Sequence, residues 1–351
     1  MFLDDRKRRI LHAIIDDYID TAEPIGSRTI ARKHELGLSS ATIRNEMSDL
    51  EEMGYLAQPH TSSGRVPSDK GYRLYVDHLM QVRELSFDDT EIIRAAMETR
   101  INELSQLIRQ ASAVMSRFTR YTSLAITPKM KTSSIKAIQV VPIDIGKALI
   151  VVVTNTGIVR NNMIKISESI LPDVLIRISN VLNSKLSGLA IEQVNMKVIG
   201  EIEAEMGFSG DIIMPILEGA ADCINQIDNP EVYLEGTTNI FNYPEFKDLV
   251  KAREFMSILD EKANLCKLLA DAVEKDGITV RIGSENDISG IRDCSLVTVN
   301  YNLGDTFIGS IGIIGPTRME YPRVISSMSY IRRKINEEIN RLLGENPGDQ
   351  E

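Results

Sequence analysis

The first 80 residues follow an order of helices and strands that leaves few folds open. Apolar residues recur with the 3.6-residue period of a helix from Asp5 to Thr21, and Pro24 ends that stretch. Ser27 is a candidate N-cap of a second, short helix, which we expect to end at Gly37. A tight turn then leads into a third helix, so the segment begins with three helices in series.

The third helix is predicted to begin at a cap on Ser39 or Ser40. Its apolar residues Ile43, Met47 and Leu50 fall on one face, which we expect to be buried. After this helix the pattern changes to two short strand-like runs, YLAQ and RVP, on either side of the turn-forming loop PHTSSG. The third helix is therefore followed by a hairpin.

A fourth helix is predicted after the hairpin, with Ser68 as its cap and with Tyr72 and Tyr75 on its apolar face. The complete order is helix, helix, turn, helix, hairpin and helix. This is the layout of a winged helix-turn-helix domain, whose recognition helix enters the major groove of DNA.

Polar residues occupy the side of the third helix that lies opposite its predicted buried face. Small and hydroxylated side chains let a helix backbone enter the major groove, while Asn bonds an adenine edge and Arg a guanine edge. We select as candidate DNA contacts on this helix Ser40, Thr42, Arg44, Asn45 and Ser48. A solvated helix face has a similar composition, and the adjacent hairpin favours the DNA-binding interpretation.

The hairpin region supplies a second group of candidate contacts. Ser62, Ser63, Arg65 and Lys70 combine hydroxyl and cationic side chains, which bind phosphate oxygens and fix the register of a protein on DNA without reading its sequence. The alternative is an exposed hairpin whose polar tip only keeps it soluble. The basic run at 6–9 is flanked by aspartates, so we interpret it first as a solvated helix start and second as a backbone contact.

The formal net charge of −10 is at first sight unfavourable for binding DNA. The first 80 residues, however, hold 11 basic and 13 acidic residues, so most of the acidity lies in the rest of the chain. From Gln58 to Tyr75 the basic residues exceed the acidic ones by two. The charge distribution therefore predicts DNA binding through a few placed cations and not through a general positive field.

The remainder of the chain alternates helices with strands. A helix from Thr90 to Phe118 carries an apolar seam with heptad spacing, which suits a dimer helix and a helix packed along its own domain equally well. Three strands that form an antiparallel sheet are predicted between residues 134 and 166, and a helix-rich stretch runs from Pro172 to Asp228. Extended structure then resumes, with a helix at about 252–274, further strands and a final helix at 323–343.

The sequence contains none of the common catalytic or metal-binding motifs. The sequence lacks GxSxG, HExxH, GxxxxGK[ST] and GxGxxG, and all four histidines fall in the first 80 residues. Asp16, Asp17 and Asp20 fit the solvent-facing side of a helix better than a metal site. The chain is therefore predicted to be no enzyme and to hold no metal or cofactor. Three widely spaced cysteines are interpreted as core thiols: Cys223, Cys266 and Cys294.

Targeting signals are also missing from the sequence. No apolar run reaches the roughly 18 to 20 residues that a membrane span requires. The N-terminus interleaves charged and apolar residues and has no cleavage site of the secretory type. The predicted location is the cytoplasm.

Three long segments carry a family resemblance: EPIGSRTIARKHELGLSSATIRNEMSDLEEMGYLAQPHTSSGRVPSDKGYRLYVD, YLEGTTNIFNYPEF and IGIIGPTRMEY. They resemble the HrcA family of heat-inducible transcription repressors, and the order of elements agrees across nearly the whole chain. The resemblance implies a winged-helix DNA-binding domain, a GAF-like domain, and a dimerisation domain inserted into the GAF-like one. It further implies repression of chaperone operons through an inverted-repeat operator, with the chaperonin GroEL helping to keep the repressor active.

The expected fold is thus α+β and multidomain: a winged helix-turn-helix, and a GAF-like α/β sandwich with an inserted helix-rich dimerisation domain. The expected division is 1–80 for DNA binding, 81–168 with 231–343 for the GAF-like domain, 169–230 for the insertion, and 344–351 as a polar tail. The expected partners are double-stranded operator DNA, a second copy of the chain and GroEL, with no membrane. The alternative function is a small-molecule sensor whose GAF-like domain binds a ligand.

Overall fold

The computed structural model describes most of the chain as mixed helix and sheet. The described residues are 3–60, 63–82, 84–97, 104–127, 134–155, 158–190, 193–194, 196–207, 210–228, 231–270, 277–303 and 306–343. The expected polar tail at 344–351 lies outside them. Among the helices of the described ranges, none is long and apolar enough to cross a membrane.

The helices and strands are as follows. The helices are α1 (Asp5–Thr21), α2 (Ser27–Lys33), α3 (Ser40–Glu52), α4 (Asp69–Leu74), α5 (Phe87–Met97), α6 (Leu104–Thr119), α7 (Pro172–Leu186), α8 (Met196–Met206), α9 (Gly210–Asp228), α10 (Leu249–Asp260), α11 (Lys262–Ala270) and α12 (Tyr321–Leu343). The strands are β1 (Leu56–Ala57), β2 (Val66–Pro67), β3 (Thr122–Ile126), β4 (Ile135–Asp144), β5 (Lys147–Thr154), β6 (Val159–Lys165), β7 (Val232–Glu235), β8 (Ile278–Ile282), β9 (Cys294–Leu303) and β10 (Thr306–Pro316).

The N-terminal unit comprises the described residues between 3 and 80, which form α1 to α4, a π-helical segment at Tyr75–Leu79 directly after α4, and the hairpin of β1 and β2. The predicted bounds of the first helix are confirmed. The predicted caps are confirmed for α3, where the Ser39 hydroxyl accepts from the Thr42 N–H, and for α4, where the Ser68 hydroxyl accepts from the Gly71 N–H. Short-range signals were sufficient here because each cap lies within three residues of the group that it satisfies.

The second helix differs from its prediction at both ends. Ser27 is the first helical residue, and the N-cap position is Gly26, which offers no side-chain hydrogen bond. The helix ends at Lys33 because His34 adopts an extended backbone with φ −112° and ψ 128°. Gly37 has the predicted positive φ, 68°, but it lies in the turn that follows and not at the helix end.

An antiparallel sheet in the order β7-β3-β10-β9-β8 forms the centre of the body, the name used here for this sheet with α5, α6 and α10 to α12. One face packs on α6 and α12, where Val297, Tyr301 and Ile313 join the same buried cluster as Met328 and Ile331. The other face packs on α10 and α11. The buried residues of that second layer include Leu124, Phe255, Leu268, Leu269, Leu296 and Ile314.

The predicted single helix from Thr90 to Phe118 is wrong. The chain forms α5 and α6, and the Gln110 side chain donates a hydrogen bond to the Ala96 carbonyl. Residues so far apart in sequence lie about 20 Å apart along one continuous helix, so α5 and α6 are separate helices that contact each other. Residues 98–103, including seam position Ile101, lie outside the described ranges.

The seam packs inside its own chain. Leu104, Ile108, Ala111 and Met115 are at most 3% exposed in the single chain, and α6 contacts α12 and β3. A dimer helix would instead leave this seam open in one protomer. Of the two interpretations of the seam, packing along its own domain is therefore confirmed for α6.

Two predictions near the C-terminus need correction. The helix expected at 252–274 is divided into α10 and α11, because Glu261 takes an extended backbone with φ −95° and ψ 107°. Residues 271–276 lie outside the described part of the chain. The last helix begins slightly earlier than predicted, at Tyr321, and its apolar side faces the sheet as expected.

A second antiparallel sheet, β4-β5-β6, is separate from the first. It packs on α7 and α9, the latter placing Gly219 against Ile150 and Ile164. Its β4 edge is closed by α7, since Ser179 and Asn183 hydrogen-bond the backbone of β4 at 2.8–2.9 Å. The strands from 134–165 thus form one unit with helices from the stretch expected to be inserted.

The cysteines behave mainly as core residues. Cys223 and Cys294 are buried, and Cys266 is half-buried. Burial raises the pKa of the Cys223 thiol to about 11, so this thiol is protonated at neutral pH. The interpretation as core thiols is confirmed for the two buried cysteines.

Candidate DNA-binding site

Helix α3 is anchored by the apolar face that its sequence predicts. Ile43 and Leu50 are fully buried and Met47 is 3% exposed, all against α1 and α2. The hydroxyl of Ser39 caps the first turn by accepting from the Thr42 N–H at 3.1 Å. The apolar face and the cap together fix which side of the helix faces outward.

The outward side of α3 carries three of the five candidates. Arg44, Asn45 and Ser48 are exposed, and in the described part of the chain none of their side chains takes part in a hydrogen bond or ion pair. Ser40 and Thr42 are half-buried, and the Thr42 hydroxyl lies 2.9 Å from that of Ser39. The free guanidinium and amide are thus available to hydrogen-bond base edges.

An ionic contact that the helical wheel did not reveal joins α3 to α1. Glu46 is buried and accepts from Arg6 Nη1 at 3.2 Å and from Lys7 Nζ at 2.7 Å. Hydrogen bonds to Glu46 and Asp49 raise the pKa of the Lys7 amine above its ordinary value. Lys7 is only 13% exposed, so the interpretation of the run at 6–9 as a solvated helix start is wrong for this residue.

Arg65 of the hairpin is engaged inside the protein. Its Nη2 lies 2.7 Å from Glu51 Oε2, and its backbone exchanges hydrogen bonds with Ile25. The neighbouring Gly64 is required by this close approach, because a Cβ there would lie 2.4 Å from the Ile25 carbonyl oxygen. Arg65 therefore joins the hairpin to α3 and to the loop before α2.

Ser63 and Lys70 also make internal contacts. The Ser63 hydroxyl accepts from the His60 N–H at 3.0 Å and donates to the His60 carbonyl at 2.7 Å, which closes the hairpin turn. Lys70 donates to the Met53 carbonyl at 2.8 Å at the C-terminus of α3, and its amine lies 4.4 Å from the centre of the Tyr55 ring. Ser62 lies outside the described residues.

Asp17 does not lie on a solvent-facing side, which corrects the sequence interpretation. It is 2% exposed, and its Oδ1 lies 2.5 Å from Lys33 Nζ and 3.1 Å from His34 Nε2. The carboxylate therefore links α1 to the end of α2. Its two partners come from a separate helix, so spacing along α1 carried no signal of the contact.

Two arginines on α2 were missed by the sequence reasoning. Arg28 and Arg32 are exposed, and within the described ranges neither has an ion-pair partner. They are one turn apart on the helix that packs directly on α3. The signal was present in the segment SRTIAR, where two arginines are four positions apart at the start of a helix.

The Ser39 cap allows a stability prediction. Ser39→Ala removes the acceptor for the Thr42 N–H, and we expect it to lower the free energy of unfolding by about 1 kcal/mol. Urea titration followed by circular dichroism measures the change. Ser48→Ala is the matched control, because this exposed mid-helix serine should instead gain up to about 0.5 kcal/mol from alanine's helix propensity. Equal effects of the two substitutions would contradict the role of the cap.

Similarity to known proteins identifies the family of this chain. A family model described as HrcA protein C-terminal domain matches residues 105–325. A protein of Acetivibrio thermocellus named heat-inducible transcription repressor HrcA is 59% identical over 345 residues, which covers 98% of each chain. The chain belongs to the HrcA family. A second HrcA protein, from Ruminiclostridium cellulolyticum, is 60% identical and shares 98% of this chain and 99% of its own length.

The likeness extends to a solved structure. A crystal structure described only as that of a hypothetical protein is 25% identical and superimposes with a TM-score of 0.71, covering 97% of this chain and all of that one. The matched range runs from the start of α6 to the start of α12 and includes both sheets, whereas α1 to α5 precede it. The similarity to the two HrcA proteins includes these N-terminal helices, because it spans 98% of the chain.

Proposed function

We propose that this chain is a heat-inducible transcription repressor that reads operator DNA with α3 and represses chaperone operons as a dimer. The relatives' names support the repressor and make an enzyme or a small-molecule sensor the less favoured interpretation. The observation that carries the proposal is the exposed side of α3. There Arg44 and Asn45 have no partner among the described residues, on a helix whose opposite side is firmly anchored.

The N-terminal unit supports an interpretation as a winged helix-turn-helix. Helices α1 to α3 pack together, a short turn separates α2 from α3, and the β1-β2 hairpin follows α3 as a wing follows a recognition helix. The body supports a GAF-like interpretation, since one antiparallel sheet lies between two helical layers. We propose both assignments on this arrangement of elements.

The candidate residues divide into two roles under this proposal. Arg44, Asn45 and Ser48 read base edges, because they are exposed and free. Arg65 and Lys70 act as positioning residues, which hold the hairpin against the C-terminal end of α3. The remaining candidates are proposed as contacts to the DNA backbone: Ser40, Thr42, Ser62 and Ser63.

Arg28 and Arg32 are proposed as additional phosphate contacts. Arg28→Ala and Arg32→Ala should weaken binding to operator and scrambled duplexes by similar factors, because phosphates carry no sequence information. Each should also reduce the slope of log K against log salt by about 1. Fluorescence anisotropy over a salt series measures both quantities. An unchanged salt slope for either variant would exclude that arginine as a phosphate contact.

The dimer is proposed to form through the uncovered side of the second sheet. The side chains that point away from α7 and α9 define this open face, and all of them are exposed or half-buried. Seven of the eleven are apolar, and the two lysines lie together at one end of the face. Members of the open face are Ala137, Gln139, Val141, Lys147, Leu149, Val151, Val153, Val159, Asn161, Met163 and Lys165.

The composition of the central strand supports pairing of the open faces of two copies of the chain. In β5 the inward residues Ala148, Ile150 and Val152 and the outward residues Leu149 and Val151 are all apolar. A strand that is apolar on both sides is typical of a sheet covered on both faces. We propose a second copy of this chain as the cover, because a palindromic operator requires two reading helices.

The same observation changes the proposed bounds of the insertion. Strands β4 to β6 pair with one another and pack on α7 and α9, whereas the body has its own sheet. We propose 134–228 as the inserted dimerisation domain, in place of 169–230. The GAF-like domain then comprises the segments before and after it, and α8 (Met196–Met206), which had no predicted counterpart, belongs to the insertion.

Regulation by heat and by GroEL stays a prediction from the family resemblance. Heating is proposed to lower the fraction of competent dimer, since a marginally stable interface shifts its population with temperature. Unfolded clients would compete with the repressor for the chaperonin. The cytoplasmic location likewise stays a prediction.

Footprinting on the promoter of a chaperone operon tests the function. We expect protection of two half-sites related by a dyad, lost on heating and strengthened when GroEL is present. A scrambled promoter of equal length is the control. Protection in neither the presence nor the absence of GroEL would overturn the proposed function.

A further inference from the structure

The N-terminal unit is fixed to the body by polar contacts at two separate points. The first point joins α4 to the turn after β8, where Asp69 Oδ2 accepts from both the backbone N–H and the hydroxyl of Ser284, each at 2.8 Å. Gly283 makes this approach possible: it has φ 54°, and a Cβ on it would lie 2.2 Å from Asp69 Oδ1. The turn is therefore shaped to receive the carboxylate of α4.

Arg73 completes the first point. Its guanidinium donates to both oxygens of Glu285, with Nε to Oε1 at 2.9 Å, and to the Val280 carbonyl at 2.6 Å. Burial opposes ionisation of Glu285, but the bonds from Arg73 and from the Ile282 N–H outweigh it, so its pKa lies below the ordinary value. A bidentate ion pair of this kind fixes the relative orientation of the two side chains as well as the distance between them.

The second point lies at the C-terminal end of α1. Arg318 of the body donates from Nη1 to the Ile19 carbonyl at 2.9 Å and pairs with both oxygens of Glu245. Its side chain is 10% exposed and lies against the ring of Tyr243. Cations at helix C-termini are favourable because the last carbonyls of the helix carry partial negative charge.

Apolar packing fills the space between α4 and the body. The rings of Tyr72 and Tyr321 lie 6.0 Å apart and both residues are buried. The two points lie on different helices of the N-terminal unit, α4 and α1, and a packed tyrosine pair lies beside the first. The N-terminal unit therefore cannot rotate against the body about a single axis. We call Asp69, Arg73 and Arg318 with their partners Ser284, Glu285 and Glu245 the clamp.

We propose that the clamp sets the spacing between the two half-sites that the dimer recognises, so that Asp69, Arg73 and Arg318 are positioning residues for DNA recognition. This inference rests on the proposed function, that of a dimeric DNA reader. The dimer is joined through the inserted domain, so the separation of the two α3 helices depends on how each N-terminal unit sits on its body. A rigid clamp confines the pair to one half-site spacing.

The physical consequence is a dependence on spacer length. With the clamp closed, moving one half-site by about five base pairs places it on the opposite side of the duplex, and the second α3 helix cannot reach it. Binding then loses the effective-concentration gain of the second contact, about 100-fold or more. With the clamp open, each N-terminal unit keeps only its link to α5 and the apolar contact of Tyr72 with Tyr321, so it can follow the displaced half-site more easily.

The test compares operators that differ only in spacer length. We expect the wild-type chain to lose about 100-fold in affinity when the spacer of the footprinted operator is changed by about five base pairs. The combined variant Asp69→Ala, Arg73→Ala, Glu285→Ala, Arg318→Met, Glu245→Gln removes the polar contacts of both clamp points. The Asp77 carboxylate, which also pairs with Arg73, is exposed and remains solvated. The combined variant should lose less than about tenfold on the altered spacer, while its affinity for a single half-site stays that of the wild type.

Two further variants separate the clamp from general stability. Asp69→Asn with Glu285→Gln keeps the side-chain volumes and should give a smaller relaxation of the same kind. Lys185→Ala with Glu205→Ala removes an ion pair of 2.7 Å between α7 and α8, away from the clamp, and should keep the wild-type dependence.

The outcomes distinguish the clamp from the proposed function. A clamp variant with wild-type half-site affinity and unchanged spacer dependence overturns the inference while leaving the repressor function intact. A variant that loses half-site affinity in proportion to operator affinity also overturns it, since the residues would then serve only the fold of the N-terminal unit. If the wild-type chain binds no chaperone promoter at any spacing, the proposed function itself is wrong and the spacing role fails with it.

Discussion

Arg44→Ala and Asn45→Ala are each expected to lower affinity for the operator by about 10- to 100-fold, with a much smaller loss on scrambled duplex. A well-formed side-chain contact to a base contributes about 1–3 kcal/mol of discrimination, and 1.4 kcal/mol corresponds to a factor of ten. Both residues are exposed on α3, and within the described ranges neither side chain forms a hydrogen bond with the rest of the protein. Their removal should therefore weaken DNA recognition and leave the free energy of unfolding unchanged.

Gel shifts on operator and scrambled duplexes at one fixed salt concentration measure the specificity ratio directly. Arg253→Ala is the matched control, because it deletes the same charge from an exposed position on α10, far along the chain from α3. The control should leave both affinities unchanged. If Arg44→Ala bound operator and scrambled DNA with the wild-type ratio, Arg44 would be no base contact.

Local signals were sufficient for most of the N-terminal unit. The bounds of α1, the caps at Ser39 and Ser68 and the buried face of α3 all followed from residues within about four positions of one another. Capping and amphipathic periodicity act over this range, so a single sequence contains them. The exposed side of α3 was predicted for the same reason.

Contacts between distant residues were not predictable from the sequence. Glu51 of α3 pairs with Arg65 of the hairpin, and Asp17 of α1 pairs with Lys33 of α2. Nothing in the spacing of charges distinguishes a cation that will meet an internal carboxylate from one that stays free for phosphate. This is why Arg65 and Lys70 were selected as DNA contacts, whereas Arg28 and Arg32, which have no ion-pair partner among the described residues, were passed over.

The sequence pattern also could not predict which strands pair in the same sheet. The runs at 134–165 read as strands, and they are strands, but alternation cannot tell which sheet a strand joins. The partners α7 and α9 decide it, since they cover Ile150 and Val152 and supply the side chains that close the β4 edge. The heptad seam is a similar case, because its spacing was correct while nothing in the periodicity marked the division into α5 and α6.

Val151→Asp is expected to convert the dimer to a monomer and to lower operator affinity about 100-fold or more. Val151 lies in the central strand β5, opposite Gln139 on one side and Asn161 on the other, in the middle of the open face. A carboxylate there would be buried without a cationic partner when two open faces meet, and an unpaired charge cannot be tolerated in an apolar interface. Loss of the dimer removes the second half-site contact.

The position of Val151 makes the substitution selective for association over folding. The side chain is half-buried in the single chain and points away from α7 and α9, so an aspartate reaches water in the monomer. Sedimentation velocity measures the oligomeric state, and circular dichroism checks that the melting transition persists. Val250→Asp is the matched control, since Val250 is 66% exposed at the start of α10 and lies outside the open face. A Val151→Asp protein that sediments as the wild-type dimer would exclude the open face as the interface, while a control that dissociates would attribute the effect to added charge alone.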